Sequence, residues 1–343
     1  MRVLLNTLFV LSEDAYLSLD GENVVVQRAG ETVGRFPLHT LESVLCFSYK
    51  GASPALMGAC AKRDIALSFY SPQGRFYCQT AGTAQGNVLL RREQYRRADS
   101  PPASRDLAQS FLTGKLYNGR WVLERATRDH ALRVDTARLK NASAALAQAV
   151  CSLETQAGVD ALRGVEGAAA QRYFDVFEEL VLQNKAEFSF GGRSRRPPLD
   201  RTNALLSFAY TLLAGDCTAA LRGAGLDPYV GYLHTDRPGR ASLAMDLMEE
   251  LRPVLGDRFA LSLINSRKIT PNQFDAQENG AVFLSATGRK TVLGAWQEHK
   301  KETLTHPFLG EKLPWGLVPY VQALLLARCL RGDLDAYPPF LWK

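Results

Sequence analysis

Residues 16–26, Tyr-Leu-Ser-Leu-Asp-Gly-Glu-Asn-Val-Val-Val, alternate apolar and polar side chains and carry a turn signal at Asp20-Gly21. This alternation predicts two β-strands joined by a tight turn, because successive side chains of a strand point to opposite faces. Further short β-rich runs follow at 32–36, 43–47 and 65–69. Residues 1–80 are therefore predicted to form a small β-rich domain that contains one helix, at 53–63.

The hydrophobic period changes beyond this domain. Residues 81–103 contain glycines, prolines and four arginines, which indicates a linker. From Ser104 onward apolar residues recur at helical spacing, and helices are predicted at 107–123, 139–153, 166–182, 203–214, 242–252 and 318–331. The fold class is therefore predicted to be α+β, with the β-rich domain followed by a larger, mostly α-helical catalytic domain at 104–343.

Composition sets broad limits on function. The 343 residues are 46% apolar and 22% charged, values that exclude an intrinsically disordered chain. The net charge of +6 suits a phosphate-rich partner, although a mild excess also occurs in proteins that bind no nucleic acid.

Cysteine usage and the N-terminal residues indicate the compartment. None of the six cysteines forms a Cys-x-x-Cys pair, so we expect buried free thiols in a reducing cytoplasm. The N-terminal apolar run is short and lacks a cleavage site, and no stretch reaches the roughly 20 apolar residues of a membrane span. A cytoplasmic protein without membrane contact is expected.

Glu166 is the first candidate for chemistry. On a helix it shares a face with Ala170, Tyr173 and Phe177, and an ionised carboxylate on an apolar face is costly unless it is paired or bound to a metal. The structural alternative is an acid placed at a helix start by the helix dipole, since Gly164 lies just before it.

Two later segments add an imidazole and further acids. His234 lies just before a Pro-Gly loop, where it could ligate a metal or simply hydrogen-bond locally. Asp246 and Glu249 lie three residues apart on the flank of a leucine stripe, with Glu250 next to them. These acids either line a cleft or form a solvated helix face.

Taken together, these segments favour a divalent-metal site. Carboxylate and imidazole ligands suit Mg²⁺ or Mn²⁺ better than a structural zinc, and a small ligand set leaves positions open for water and phosphate oxygens. Such a metal can activate an attacking oxygen and stabilise a leaving oxygen. The sequence contains no Gly-rich phosphate loop or nucleophile elbow that would favour another chemistry.

Basic residues are the candidates for contact with DNA phosphates. The residues in question are Arg193, Arg195, Arg196, Arg267 and Lys268. Each would position DNA rather than read its bases, and each could equally be a solvated surface residue.

An ordered set of segments resembles a known family. The segments are 164–174 (Gly-Val-Glu-Gly-Ala-Ala-Ala-Gln-Arg-Tyr-Phe), 198–210 (Pro-Leu-Asp-Arg-Thr-Asn-Ala-Leu-Leu-Ser-Phe-Ala-Tyr), 231–234 (Gly-Tyr-Leu-His) and 243–253 (Leu-Ala-Met-Asp-Leu-Met-Glu-Glu-Leu-Arg-Pro). Together they resemble the CRISPR-associated Cas1 family, the integrase and endonuclease of spacer acquisition. The ending 337–343, Tyr-Pro-Pro-Phe-Leu-Trp-Lys, is most similar to the branch that accompanies type I-C systems.

The resemblance implies a set of partners. The N-terminal β-domain would mediate homodimer formation, and two such dimers would flank a dimer of the small Cas2 protein. The complex would hold a short double-stranded DNA fragment, and the 3′-hydroxyls of that fragment would attack the CRISPR repeat beside the leader.

The resemblance also implies which residues hold the metal. The family's glutamate and histidine ligands match Glu166 and His234, and the later acid matches Glu249, three residues after Asp246. Asp246 matches a nearby family acid with a supporting role. The resemblance further implies that Asn203, Ser207 and Tyr210 support the site or contact DNA.

Two other functions compete with integration. In a non-catalytic nucleic-acid-binding scaffold the acids would be a solvated face and the basic residues would do the binding. In a plain metal-dependent DNase the same metal site would act without joining DNA ends.

Overall fold

The computed structural model describes residues 6–10, 12–63, 65–71, 76–80 and 88–343. The chain divides into two compact units. The first is Met1–Gly86 with Ser285–Glu298, and the second is Asn87–Leu284 with His299–Lys343. Residues 285–298, which the sequence placed in the helical domain, are thus part of the first unit.

The described residues before Gly86 in the first unit form seven strands and one α-helix. They are β1 (Asn6–Val10), β2 (Tyr16–Asp20), β3 (Asn23–Arg28), β4 (Glu31–Pro37), β5 (Leu41–Cys46), α1 (Pro54–Lys62), β6 (Ala66–Tyr70) and β7 (Phe76–Gln79). Strands β2, β3 and β4 form an antiparallel sheet. A second sheet has the order β1-β5-β6-β7, in which only the β6–β7 pair is antiparallel.

Local signals account for these elements. Gly21 adopts a φ of +57° in the turn between β2 and β3, a backbone conformation that glycine adopts without steric cost. Ser53 caps α1 by accepting a hydrogen bond from the Leu56 amide at 3.2 Å, and Pro54 occupies the first helical position. The β-rich start of the predicted α+β fold is confirmed.

Helices dominate the rest of the chain. They are α2 (Val88–Ala98), α3 (Pro101–Asp129), α4 (Thr136–Leu153), α5 (Val159–Phe174), α6 (Arg201–Gly223), α7 (Ser242–Leu251), α8 (Arg258–Asn265), α9 (Ala286–Lys301) and α10 (Val318–Arg331). Two short hairpins pair β8 (Phe274–Ala276) with β9 (Val282–Leu284), and β10 (Thr303–Thr305) with β11 (Lys312–Pro314). One π-helical turn, Arg252–Asp257, connects α7 to α8.

Several sequence-based boundaries differ from the structure, and helix α6, predicted at 203–214, spans Arg201–Gly223. Helix α2 fills much of the predicted linker 81–103, of which residues 81–87 lie outside the described residues. Helix α5 begins at Val159 and ends at Phe174, whereas the sequence predicted a helix over 166–182. Glu166 therefore lies inside a helix, and the interpretation of it as a helix-start acid is wrong.

Helix α6 departs from the expectation that no stretch could span a membrane. Its 23 residues include a window with a mean hydropathy of 1.4, which passes a test of length and composition. Of that window, 56% is buried inside the protein, and Leu205, Leu206 and Leu213 are fully covered. The hydropathy of α6 is therefore that of a core helix.

The cysteines follow the expectation only in part. All six are free thiols, and Cys46, Cys60, Cys217 and Cys329 are buried. Cys78 and Cys151 are exposed, because apolar neighbours in sequence do not place a residue on the buried face of its element.

Candidate metal centre

Helices α3, α5 and α7 bring the predicted acids to one place. Lys115 on α3 forms an ion pair with Glu166 on α5, and its Nζ lies 2.6 Å from Oε2 of Glu249 on α7. His234, in the loop before α7, places Nε2 3.9 Å from Oε1 of Glu249. Glu166 and Glu249 thus share the Lys115 ammonium, and His234 lies beside Glu249.

The Lys115 ammonium occupies the place between the acids where a metal ion would bind. Within the described residues, no three His, Cys, Asp or Glu side chains are arranged as a ready set of metal ligands. Two of the three candidates instead share the ammonium as their cation. The chemistry of the donor set, two carboxylates and an imidazole, fits a hard divalent cation.

Glu249 is a buried carboxylate that stays ionised. Burial alone would raise its pKa, but the positive charges of Arg252 and Lys115 hold the pKa at about 2. Arg252 Nη2 lies 2.8 Å from Oε1 of Glu249. The buried Oε2 accepts no hydrogen bond of good geometry, although Lys115 Nζ is close to it. A charged oxygen with unused lone pairs in the protein interior is suited to a cation.

Asp246 organises the loop that carries His234. Its side chain is completely buried and accepts backbone N–H bonds from Tyr232 at 2.6 Å, Leu233 at 2.9 Å and His234 at 2.9 Å. It also lies 2.6 Å from Nδ1 of His234. A carboxylate at Nδ1 makes Nδ1 the donor, so Nε2 is left with a free lone pair on the Glu249 side.

These contacts bear on which acid would be the third ligand. Four donors already engage the two oxygens of Asp246. Glu249 has an oxygen with spare acceptor capacity and faces Nε2 of His234. The geometry thus favours Glu249 as the ligand and Asp246 as the residue that orients His234.

Two further features hold this loop. Arg163, one turn before Glu166 on α5, donates from Nε to the Leu233 carbonyl at 2.9 Å. At Gly231 a Cβ atom would lie 2.8 Å from Cβ of Ser242 and 2.9 Å from Oδ2 of Asp246. The loop can therefore approach α7 this closely only because residue 231 is glycine.

The predicted supporting residues form a second cluster near the start of α6. Asn203 is fully buried, accepts from Arg193 Nη1 at 2.6 Å and donates to Gly192 O at 2.8 Å. Arg193 Nη2 donates to Ser207 Oγ at 3.2 Å, and its guanidinium lies 5.3 Å from the Tyr210 ring. These contacts hold the half-buried Arg193 against the loop before α6, and its contact with DNA stays a prediction.

Tyr210 connects this cluster to the acids. Its hydroxyl donates to Asp257 Oδ1, and Asp257 Oδ2 accepts from Tyr173 at 3.0 Å. The Arg252 guanidinium that pairs with Glu249 lies 4.9 Å from the Tyr210 ring. Arg252, Tyr210 and Asp257 thus connect Glu249 to Tyr173 through consecutive contacts.

The other predicted DNA contacts lie on the surface. Arg195 and Arg196 are exposed just before α6, and Arg267 and Lys268 are exposed just after α8. Arg267 donates to Oε1 of Gln183 at 2.9 Å. Their role in binding DNA stays a prediction.

Sequence reasoning missed Lys115 and Arg252. A signal for Lys115 existed, since it lies four residues after Phe111 and four before Gly119, both of which are buried. A lysine on the apolar face of a helix is rarely buried without an acidic partner. The partners themselves could not be read from the pattern, because they lie on α5 and α7.

Replacing Asp246 with asparagine is expected to weaken Mn²⁺ binding by about 10- to 100-fold, the usual cost of losing a carboxylate that orients a ligating histidine. The asparagine NH₂ would face backbone donors or the Nδ1 proton, so His234 would lose its fixed orientation. Isothermal titration with Mn²⁺ measures the effect, and Asp236→Asn, an exposed acid of the same loop, is the control. Wild-type affinity in the Asp246 variant would show that the orientation argument is wrong.

Comparison with known proteins gives the family. The model of the family "CRISPR associated protein Cas1" matches residues 8–298. The chain belongs to the Cas1 family. A curated relative from Rhodospirillum rubrum, a CRISPR-associated endonuclease Cas1, is 52% identical over 347 residues and covers 100% of both chains.

Solved structures show the same Cas1 fold. A casposase bound to its integration product superposes with a TM-score of 0.84 at 21% identity, covering 99% of this chain and 95% of that chain. A chain of a Cas6-RT-Cas1–Cas2 complex superposes with a TM-score of 0.82 at 22% identity, covering 100% of this chain and 37% of that chain. The family resemblance and the α+β fold class are thereby confirmed.

Proposed function

We propose that this Cas1 protein is a metal-dependent DNA integrase and endonuclease that joins short DNA fragments into a CRISPR array by phosphodiester transesterification. The observation that supports this most directly is that three helices and a loop bring the candidate ligands together: Glu166 and Glu249 share the partly buried Lys115 ammonium, and His234 Nε2 lies 3.9 Å from Glu249. The endonuclease name of the relative at 52% identity supports the same class of reaction.

Glu166, His234 and Glu249 would hold the metal, and Mg²⁺ or Mn²⁺ suits their oxygen and nitrogen donors. When bound, the ion supplies polarisation of the scissile phosphate and stabilisation of the oxygen that leaves. The donor set supports this proposal, as does the buried Oε2 of Glu249, which already faces a cation, the Lys115 ammonium at 2.6 Å.

The surrounding residues set the charge and the orientation of these ligands. Arg252 and Lys115 keep Glu249 ionised, so no proton has to leave it before the reaction. Asp246 fixes the His234 ring with Nε2 towards Glu249. Lys115 adds a positive charge beside the acids, where a negatively charged phosphate would have to approach.

The attacking group distinguishes the two reactions that such a site allows. The 3′-hydroxyl of a DNA fragment would attack during integration, while water would attack during cleavage. In both cases the attacking oxygen forms a bond to phosphorus and loses its proton. The bond from phosphorus to one ester oxygen of the attacked strand breaks, and that oxygen leaves and takes up a proton. The proposed partners are double-stranded DNA fragments, the leader-repeat, a second copy of this chain and a Cas2 dimer, in the cytoplasm, and the proposed system is type I-C.

A plasmid assay separates these possibilities. The protein, with Cas2, is incubated with a supercoiled plasmid carrying a leader and repeat, a short duplex with 3′-hydroxyls, and Mg²⁺ or Mn²⁺. We expect fragment joined to plasmid at the repeat, no joining with a chelator, and no joining when the fragment ends in a 3′-deoxynucleotide.

Two other outcomes would contradict the proposal. Nicks at random positions that do not depend on the 3′-hydroxyl would show a plain DNase. DNA binding without any metal-dependent product would show a non-catalytic scaffold.

A further inference from the structure

A cavity of about 340 Å³ lies at the C-terminal end of α3, apart from the candidate metal ligands. Val122, Leu180 and Leu261 form apolar walls, and three guanidinium groups line it, from Arg125, Arg133 and Arg258. The one acid of the lining, Asp129, already pairs with Arg128, which is not part of the lining. The cavity therefore combines apolar surface with an excess of positive charge, because three guanidinium groups and one carboxylate line it.

The arginines are held together without an acidic partner. Arg125 and Arg258 place their guanidinium carbons 4.0 Å and 4.2 Å from the centre of the Trp342 ring. Among the described residues no Asp or Glu side chain forms an ion pair with these two arginines or with Arg133. Arg125 Nη2 donates to the Lys343 oxygen at 3.2 Å, and Arg125 Nε is buried without a hydrogen-bond partner. Burial and the charge of Arg125 lower the pKa of Arg258 to about 10. Holding the positive charges of Arg125 and Arg258 near each other, partly removed from water, costs free energy. A bound anion would offset this cost.

The geometry also relates the cavity to the candidate metal centre. Val122 and Ala126, which line the cavity, follow Lys115 by seven and eleven residues, so they lie on the same face of α3. Arg125 follows Lys115 by ten residues, a distance of about 15 Å along a helix. A DNA strand that enters the metal centre would cover that distance with a few nucleotides.

We propose that this cavity binds a phosphate group of a nucleotide, and that the nucleotide belongs to a DNA strand that also reaches the candidate metal centre. Guanidinium groups bind phosphate oxygens in pairs, and the apolar walls suit the sugar or base beside the phosphate. The second half of this proposal rests on the proposed function, whereas the phosphate site itself does not.

The test compares single-stranded DNA binding by the wild type, Arg125→Gln/Arg258→Gln and Arg133→Gln, measured by fluorescence anisotropy over a range of salt concentrations. We expect the Kd of the double variant to rise about tenfold, the usual cost of losing charge-assisted hydrogen bonds. The slope of log K against log salt should fall by about 0.7 for each phosphate that the variant no longer neutralises. Arg128→Gln removes a charge from the same helix end outside the cavity, so it should bind DNA as the wild type does.

Two further measurements keep the proposal falsifiable. The double variant could unfold because it removes both guanidinium groups from the Trp342 ring. Arg133→Gln then tests the site, because among the described residues the Arg133 side chain donates only to the Leu182 carbonyl. Titration with inorganic phosphate and a deoxynucleoside monophosphate, followed by thermal unfolding at constant ionic strength, measures small-ligand binding. Loss of this stabilisation in the variants without loss of DNA affinity would keep the phosphate site and overturn its link to DNA.

Unchanged DNA and phosphate binding in both cavity variants would overturn the whole proposal. Mn²⁺ titration of the same variants separates this outcome from failure of the proposed function. We expect wild-type Mn²⁺ affinity in the cavity variants, because their substitutions leave Glu166, His234 and Glu249 in place.

Discussion

Replacing Glu249 with glutamine is expected to lower the rate of DNA cleavage and joining by about 10³, the order of effect seen when a single charge-stabilising group is lost. Glutamine preserves the size of the side chain but removes its negative charge. Lys115 and Arg252 would then lack their shared partner, and a divalent ion would lose a charged ligand. Gel-based assays of cleavage and joining in Mn²⁺ measure the rate.

The control for this prediction is Glu178→Gln, because Glu178 is exposed and lies outside the site. Circular dichroism and Mn²⁺ titration on the same preparations show whether the protein is folded and whether the metal is bound. A Glu249 variant with wild-type rates would contradict the assignment of this acid. If the Glu249 variant kept its activity and Asp246→Asn were inactive at saturating Mn²⁺ in the same assay, the third ligand would have to be reassigned to Asp246.

The second large effect is expected on stability, at Glu250. This side chain is fully buried and accepts hydrogen bonds from Gln322 Nε2 at 3.0 Å, the Phe340 amide at 2.7 Å and the Tyr337 hydroxyl. Burial raises its pKa from 4.5 to about 7 despite these three donors. Residues 249 and 250 thus have pKa values shifted in opposite directions, because only the first lies beside two cations.

The direction of the pH effect follows from this raised pKa. Between pH 4.5 and 7 the unfolded chain has lost the Glu250 proton while the folded protein still holds it, so stability falls as pH rises. The loss amounts to about 3 kcal/mol for a shift of this size. Glu250→Gln does not titrate, and its amide can accept from Phe340 and donate to Tyr337.

Urea unfolding of the wild type and Glu250→Gln at a series of pH values measures this effect. We expect the variant to gain about 3 kcal/mol relative to the wild type between pH 4.5 and 7.5. Comparison with the variant removes the contribution of Asp257, whose pKa is also raised by burial. Parallel stability curves for the two proteins would show that Glu250 keeps an ordinary pKa.

The sequence predicted the fold class because period and composition change between the two parts of the chain. It misplaced the start of α5, since glycines at 164 and 167 look like a boundary while the helix begins at Val159. It took residues 88–98 for part of a linker because arginines dominate them, yet Leu90 and Gln94 of this helix are buried. Local signals therefore failed where tertiary packing stabilises a helix with a weak apolar pattern.

The candidate site was predicted in part. Glu166, His234 and Glu249 were named from an ordered resemblance, and the structure places them together. Lys115 lies 51 residues before Glu166, so no local pattern connects the two. Arg193 was assigned to DNA because it is one of three arginines near Pro197, although its side chain is taken up by Asn203 and Ser207.

The ammonium of Lys115 means that this site has an internal counterion. If the site takes up a metal as proposed, uptake would exchange one cation for another, and the local charge would rise by one unit instead of two when the ammonium leaves to solvent. Because Lys115 and Arg252 already neutralise the acids, the helices that carry them do not need a metal to pack together. Under the proposed function, folding would therefore not depend on metal loading, unlike in small zinc domains, where the metal holds the chain together.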